Sequence, residues 1–446
     1  MTESFLQYVW HHKLLEGGLT TVDGQPVIVE RAGDLNRDAG PDFLDARLSI
    51  GGIQWAGNVE VHIKASDWNL HHHSQDKAYN NVVLHVVYVY DADVILENGR
   101  KLPTVEITDA IPDHVWRNYE ELMQSASTNE IPCAPRIKET PTFLFHTGQD
   151  RLLVERLQRK SDDVERLLKS TRGNWEQTCY QLVAHYFGGK TNGFPFELLA
   201  KVTPMRVLAK IKDNPFRVEA LFFGQAGMLS GIFFDDYPNA LQREYNYLAA
   251  AHNLTSMQAH LWKFFRMRPV SFPTLRISQF AALISQSSNL FSKLLDAKET
   301  RLLHSYFSVQ ASDYWQSHYQ FDKPIDDKAL PTVKRLGINT IDTILINAWV
   351  PLLFKYGQAH DDESLKEQAL TILHNIRPES NRIVRLWQSA GVEPADAADT
   401  QALLQRYNEY CSHKRCLDCS LAFRLIRSAH RIRSSSEALD VGKNNK

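Results

Sequence analysis

Carboxylate and imidazole side chains are spaced for chemistry in the first quarter of the chain. Gly40-Pro-Asp42-Phe sets a carboxylate at the mouth of a β-run, and Gly57-Asn-Val-Glu-Val-His-Ile-Lys64 puts Glu60, His62 and Lys64 at alternate positions of the next. Strand side chains alternate, so Glu60 and His62 share one face while Val59, Val61 and Ile63 take the other. At ~3.3 Å per residue the pair stands ~6 to 7 Å apart, a separation suited to two ligands of one ion or to an ion pair. Five of the 18 histidines, His62, His71, His72, His73 and His85, fall between Glu60 and Tyr90, an excess over even spacing. Such a donor set fits Mg²⁺ or Mn²⁺ if the carboxylates dominate and Zn²⁺ if the imidazoles do. Asp42 and Glu60 are therefore the expected metal holders, with His62 as ligand or water-activating base. Lys64 or His85 would support developing charge, and His71 to His73 would form the rim. The plainer reading is a Glu60–His62 pair on a solvated sheet face.

A second cluster closes the chain. Cys411, Cys416 and Cys419, with His413 among them, gather three of the five cysteines in one short segment. A Cys-x₂-Cys step is a usual bite for a tetrahedral metal, but zinc sites generally draw on two separated pairs. The fourth ligand is His413 or a distant thiol such as Cys133 in Ile131-Pro-Cys. With Cys133, a zinc ion or iron–sulfur cluster would clasp the two segments; without it the thiols are helical core. Cys179 reads as an ordinary buried residue. Downstream, Arg424, Arg427 and Arg431, extended by Lys414, Arg415 and Arg433, form a basic stripe that is either a solvated helix face or a phosphate contact.

The elements that must position these groups change type along the chain. After a short helix at 6–15, β-branched runs at 26–30, 43–50, 54–64, 81–90 and 102–107 predict a sheet-rich module, punctuated by Gly51-Gly52 and Asn98-Gly99. From Pro112 the period becomes helical, and ten prolines from Pro195 to Pro378 cut the remainder into many modest helices. The expected class is α+β: a sheet-rich module over 1–130, a linker over 130–141, a multi-helix domain over 141–433 that carries the cysteines, and a disordered tail over 434–446. A formal charge of -2 gives no global basic footprint, so a nucleic-acid partner would have to meet a local patch. No signal-peptide pattern and no apolar run of ~20 residues is present, which predicts a cytoplasmic protein with no membrane partner. An odd number of cysteines argues for reduced thiols.

The order strand, Asp, hairpin, strand with Glu-x-basic is similar to the PD-(D/E)XK nuclease superfamily. There, an acidic residue opening one strand and a Glu-x-Lys on the next hold metal beside the scissile phosphate. Two departures stand out. His62 occupies the lysine position, and residues 67–80 are short and polar for the helix usual there. Lys64 lies ~13 Å along the strand from Glu60 and would need a bulge to reach the same ion. Some nucleases of that superfamily carry a cysteine clasp, with different spacing and with the lone cysteine before the nuclease core. Taken whole, the chain resembles a bacterial, Bacteroidetes-type family of domains of unknown function numbered 2851. The resemblance rests on Ala39-Gly-Pro-Asp-Phe, the Glu60 segment, Ser66-Asp-Trp, Val83-Leu-His-Val-Val, Ile131-Pro-Cys, Phe223-Gly-Gln-Ala-Gly-Met-Leu, Arg268-Pro-Val-Ser-Phe-Pro and the closing cysteines. The expected function is that of a metal-dependent phosphodiesterase or nuclease-like enzyme acting on nucleic acid; the alternative is a non-catalytic scaffold or binding module with a structural metal. A zinc hydrolase using His62, His73 and His85 lacks an H-E-x-x-H signature.

Overall fold

Gly51 and Gly52 both have positive φ, 58° and 84°, and Ile50 pairs with Ile53 across them. Only a two-residue turn with left-handed central residues joins strands this tightly, so the Gly-Gly pair dictates the hairpin from which the N-terminal sheet grows. A computed structural model describes residues 1–140, 145, 148–287, 289–325 and 332–429. After α1 (Glu3–His11) come β1 (Leu19–Thr20), β2 (Pro26–Arg31), β3 (Asp34–Leu35), β4 (Phe43–Ile50) and β5 (Ile53–Lys64). They are followed by α2 (Asp67–Leu70), β6 (Val82–Val89), β7 (Thr104–Glu106) and α3 (Asp113–Thr128). One sheet results, ordered β1-β2-β4-β5-β6-β7 with β3 paired to β4. β2, β4 and β5 are antiparallel, whereas β5, β6 and β7 run parallel. The short strands β1 and β3 carry no periodicity and escape a sequence reading.

The parallel β5–β6 pair needs a crossover, and the chain makes it with α2 and two 3₁₀ turns, His73–Gln75 and Lys77–Asn81. The polar stretch is thus as short as its composition predicts. Trp68, Tyr79, Val82, Val94, Leu96 and Leu102 form its apolar core. This lid buries the second face of β5: Glu60 is 4 % exposed and His62 0 %. The solvated face expected for that pair is not found.

The chain divides into two compact units, Met1–Gly148 with the chain from Arg406 onward, and Gln149–Gln405. The cysteine segment therefore belongs with the sheet, not with the helical domain over 141–433 anticipated for it. Helix Ser420–Arg427 buries Leu421, Ala422, Leu425 and Ile426, and Asn118 of α3 donates Nδ2 to the carbonyls of Ile426 and Ser428 at 3.0 and 2.9 Å. Nothing local announces such a return across some 300 positions. Arg424 and Arg427 sit on the exposed face of that helix, as an amphipathic pattern requires; Arg431, Arg433 and the tail over 434–446 lie outside the described residues.

The second unit is helical, beginning with Gln149–Ser170 and Trp175–Phe187, where Cys179 is fully buried. Several prolines open helices, Pro215 and Pro273 among them. Pro351 does not: it lies within an unbroken helical run over 338–359, directly after a π turn at Leu345–Trp349. The π turn accommodates the hydrogen bond that proline cannot donate. Among the described residues, no helix is long and apolar enough to cross a membrane.

Candidate metal centre

A bulge decides whether the two carboxylates meet. Between β4 and β5 the register runs Ala46 to Gly57 and then Phe43 to Val59, so three steps on β4 match two on β5. Asp45, at φ 57°, takes up the extra residue. Continued by one step, the shifted register places Asp42 opposite Glu60; without the bulge Asp42 would face Val61 and point to the other side. The backbone interlocks accordingly. Asp42 N–H donates to Glu60 Oε2 at 3.0 Å and Val61 N–H to Asp42 Oδ2 at 3.0 Å, while Gln7 of α1 donates Nε2 to Asp42 Oδ1 at 2.9 Å.

The remaining oxygen, Glu60 Oε1, faces imidazoles. His62 Nε2 stands 3.5 Å from it and His73 Nε2 3.3 Å, and His71 Nδ1 is 3.2 Å from His62 Nε2. His62, His71 and His73 each offer a nitrogen within 4.8 Å of the others, the kind of spacing a single ion bridges. His73 Nε2 is buried without a hydrogen bond, because its approach to Glu60 lacks the required angle. Tyr79 stacks on His73 at 3.9 Å between centroids, which fixes that ring. His72 turns away at φ 61° and is exposed. The histidine run thus enters the centre through His71 and His73 and is more than a rim.

His85 is opposite Glu60 in the parallel register and lies behind His62, its Nε2 2.8 Å from His62 Nδ1. It is a positioning residue: by holding Nδ1 it leaves His62 Nε2 facing Glu60 and His71. Replacing His85 by Phe should keep the fold yet weaken divalent binding roughly 10- to 100-fold, the usual effect of losing such a partner, which metal titration by calorimetry would measure. Lys64, by contrast, does not reach the centre. It is exposed at the end of β5, where its charge acts on Asp91.

Electrostatics separate the roles further. Burial, reinforced by His85, His73 and His71, pushes His62 down to about 2, and burial with His73 pushes His85 to about 3. Both rings are neutral at physiological pH, so the contact between His62 and Glu60 is no ion pair and His62 is a weakened base. Burial and the neighbouring Glu60 raise Asp42 to about 7, against opposing hydrogen bonds from Gln7 and Val61. Neither carboxylate has a lysine or arginine partner among the described residues. A proton retained above its ordinary range stabilises the fold at low pH, and that contribution is lost as pH rises from about 4 to about 7. In metal-free protein the stability advantage of Asp42→Asn over wild type should therefore grow across this window, and a bound divalent cation should remove it. Denaturant titrations at a series of pH values would show this. The buried histidines act with opposite sign in both proteins and cancel in the difference.

α1 supplies what sequence reading missed. Glu3 and Gln7, one helical turn apart, face the centre; Glu3 is half-buried and raised by burial, with Glu60 and Asp67 adding to the shift against His71 and His73. Their i, i+4 spacing on an otherwise apolar helix was the available signal. Beside Gln7, a groove of about 640 Å³ is lined by His11, His12, Arg37, Lys414 and Arg415, with Asp418 its one carboxylate. Asp418 pairs with Arg37 at 3.4 Å and Arg415 at 3.0 Å.

The four cysteines anticipated as a clasp come together in the same unit. Lys414 Nζ donates to the Asn129 carbonyl at 3.1 Å and Tyr407 Oη to Glu130, which brings the segment before Cys133 against the cysteine turn. Burial pushes the Cys133 thiol well up, and Cys411, Cys419 and Cys416 each add repulsion. Cys411 and Cys416 are pushed to about 12 by burial and by their neighbouring thiols. His413 shows no part in this grouping. The sulfurs do not form a trio within 4.8 Å as the imidazole nitrogens do.

No curated protein and no solved structure matches the chain. One family does, over residues 3–382, a span that includes the whole metal centre and Cys133 but ends before Cys411. The chain accordingly belongs to the family described as Protein of unknown function (DUF2851).

Proposed function

We propose that this protein is a divalent-metal-dependent phosphodiesterase of nuclease-like type. The observation that carries the reading is a carboxylate pair, buried Glu60 beside half-buried Asp42, ringed by imidazoles and, among the described residues, without a lysine or arginine partner. Carboxylates drawn together out of water favour a counter-charge, which a bound divalent cation would supply. Glu60, His62, His71 and His73 would hold the ion, with Asp42 alongside. Three nitrogens in the set favour Zn²⁺ or Mn²⁺ over Mg²⁺. When bound, the ion supplies a Lewis acid and a water of lowered pKa. His85 keeps His62 oriented, Trp68 packs against His62 and His73, Tyr79 stacks on His73, and Gln7 holds Asp42. The groove carrying His11, His12, Arg37, Lys414 and Arg415 beside Gln7 is suited to a phosphodiester backbone, which makes DNA or RNA the proposed substrate.

We further propose a zinc ion or iron–sulfur cluster on Cys133, Cys411, Cys416 and Cys419, and a cytoplasmic setting consistent with five free thiols. The test of the enzymatic reading is cleavage of single- and double-stranded DNA and RNA by the whole chain with Mn²⁺, Zn²⁺ or Mg²⁺ against a chelator. Divalent-dependent cleavage is the expected result. Tight metal binding with every substrate intact would leave a binding module, and failure to bind any divalent ion would remove the centre itself.

A further inference from the structure

The helical unit contains a cavity of about 690 Å³ whose walls include Arg268, Arg276, Lys334, Arg335 and Tyr319. No carboxylate is among the described residues that line it. Lys334 is buried and Arg276 is half-buried. Lys334 is 8 % exposed; its Nζ donates to the Gln316 carbonyl at 3.0 Å and sits 4.1 Å from the Tyr319 ring centroid. Arg276, from helix Pro273–Gln286, donates Nη1 to Gln279 Oε1 at 3.2 Å and Nη2 to Thr340 Oγ1 at 2.9 Å. Every one of these partners is neutral, and among the described residues neither cation forms an ion pair. Arg268 and Arg335 are exposed at the rim.

Cations drawn out of water with no counter-charge among the described residues are costly to fold, and burial alone lowers Arg276 to about 10 and shifts Lys334 in the same direction. An anion entering the cavity would offset that cost. One carboxylate brings a single charge, whereas a phosphate group brings nearly two and several strong acceptor oxygens, a better match to four cations. The guanidinium fork and the ammonium point charge are complementary donors to such a group. The volume is that of a small-molecule site, and the two inner cations are recessed where a nucleic-acid track would need them exposed.

We propose that this cavity binds a small phosphorylated ligand, a phosphate ester or diphosphate, with its phosphate between Arg276 and Lys334 and with Arg268 and Arg335 closing over its outer charge. The site is separate from the metal centre and does not depend on it.

Calorimetric titration of the full chain with pyrophosphate and with ADP, in chelator so that the metal centre takes no part, tests the proposal. Binding of at least one of them is expected, weakened 10-fold or more in Lys334→Met and several-fold in Arg335→Ala, and unchanged in Glu60→Gln. Ligand-free Lys334→Met should melt no lower than wild type, since it removes an uncompensated charge; a lower melting point with binding intact would mark Lys334 as a structural carbonyl cap and overturn the assignment. Absence of binding by both probes, unchanged binding in Arg335→Ala together with Lys334→Met, or displacement of the probe by an oligonucleotide would also overturn it. Should Lys334→Met fail to fold, Arg335→Ala and the oligonucleotide competition decide.

Discussion

Glu60→Gln should abolish divalent-dependent cleavage and weaken metal affinity by more than ~100-fold, beyond the loss typical of an outer-layer partner. The same variant should be at least as stable as wild type when metal-free at neutral pH. Glutamine keeps an acceptor for the Asp42 N–H, so the interlock between β4 and β5 survives. What disappears is half of a buried like-charge pair, and Asp42, raised to about 7 in part by Glu60, then ionises with less opposition. A Glu60 that served only to anchor strands would behave otherwise, since its loss would destabilise the fold and leave no metal phenotype. Metal titration and thermal melting of one preparation distinguish the cases. Wild-type metal affinity in Glu60→Gln would remove Glu60 from the centre.

Cys133→Ser and Cys419→Ser should each release the same equivalent of zinc or iron. Cys133 and the other three lie some 280 positions apart in sequence yet share one unit, where Cys411, Cys419 and Cys416 each raise the thiolate cost of Cys133. Buried thiols that repel one another in this way gain most from a cation that takes their protons' place. Saturation at 100-fold above the dissociation constant stabilises by about 2.7 kcal/mol, so loss of the ion should lower the melting point of this unit by roughly 5–11 °C. Elemental analysis beside calorimetry is the measurement. Metal lost from one variant and kept in the other would contradict a shared site, and an unchanged melting point would make the cluster plain core.

Much of this centre was legible before folding. Glu60 and His62 lie at alternate positions of one strand, and alternation alone places them on one face. For the cysteines, sequence alone left the fourth ligand between His413 and Cys133, and the sulfurs do not close to a trio within 4.8 Å as the imidazole nitrogens do. Composition was also sufficient for the class: β-branched runs to 107 and helical periods beyond Pro112 became the sheet and the helices. The misses have physical causes. Lys64 shares the face of His62 but ends at the strand's exposed edge, where distance along an extended chain outweighs facing. His71 and His73 were read as rim because neither the helix cap that holds His71 nor the 3₁₀ turn that holds His73 has a pattern to announce which rings point inward. For His62 the choice between ligand and base stayed open, because a formula shows an imidazole's ordinary basicity and not the burial that lowers it.

By itself the sequence determined which residue types stand on which strands, the Gly51-Gly52 hairpin and the change from alternating to helical period, since these depend on local backbone preferences and on neighbours within a few positions. Only the tertiary structure decided that Asp42 meets Glu60, through one bulged residue that reverses the facing of everything before it. It also decided that the crossover buries Glu60 and His62, that α1 contributes Glu3 and Gln7, and that the chain returns from the helical unit to place three cysteines in the same unit as Cys133. Register, burial and long-range return are settled by the free energy of the whole packed unit, which no stretch of residues carries alone.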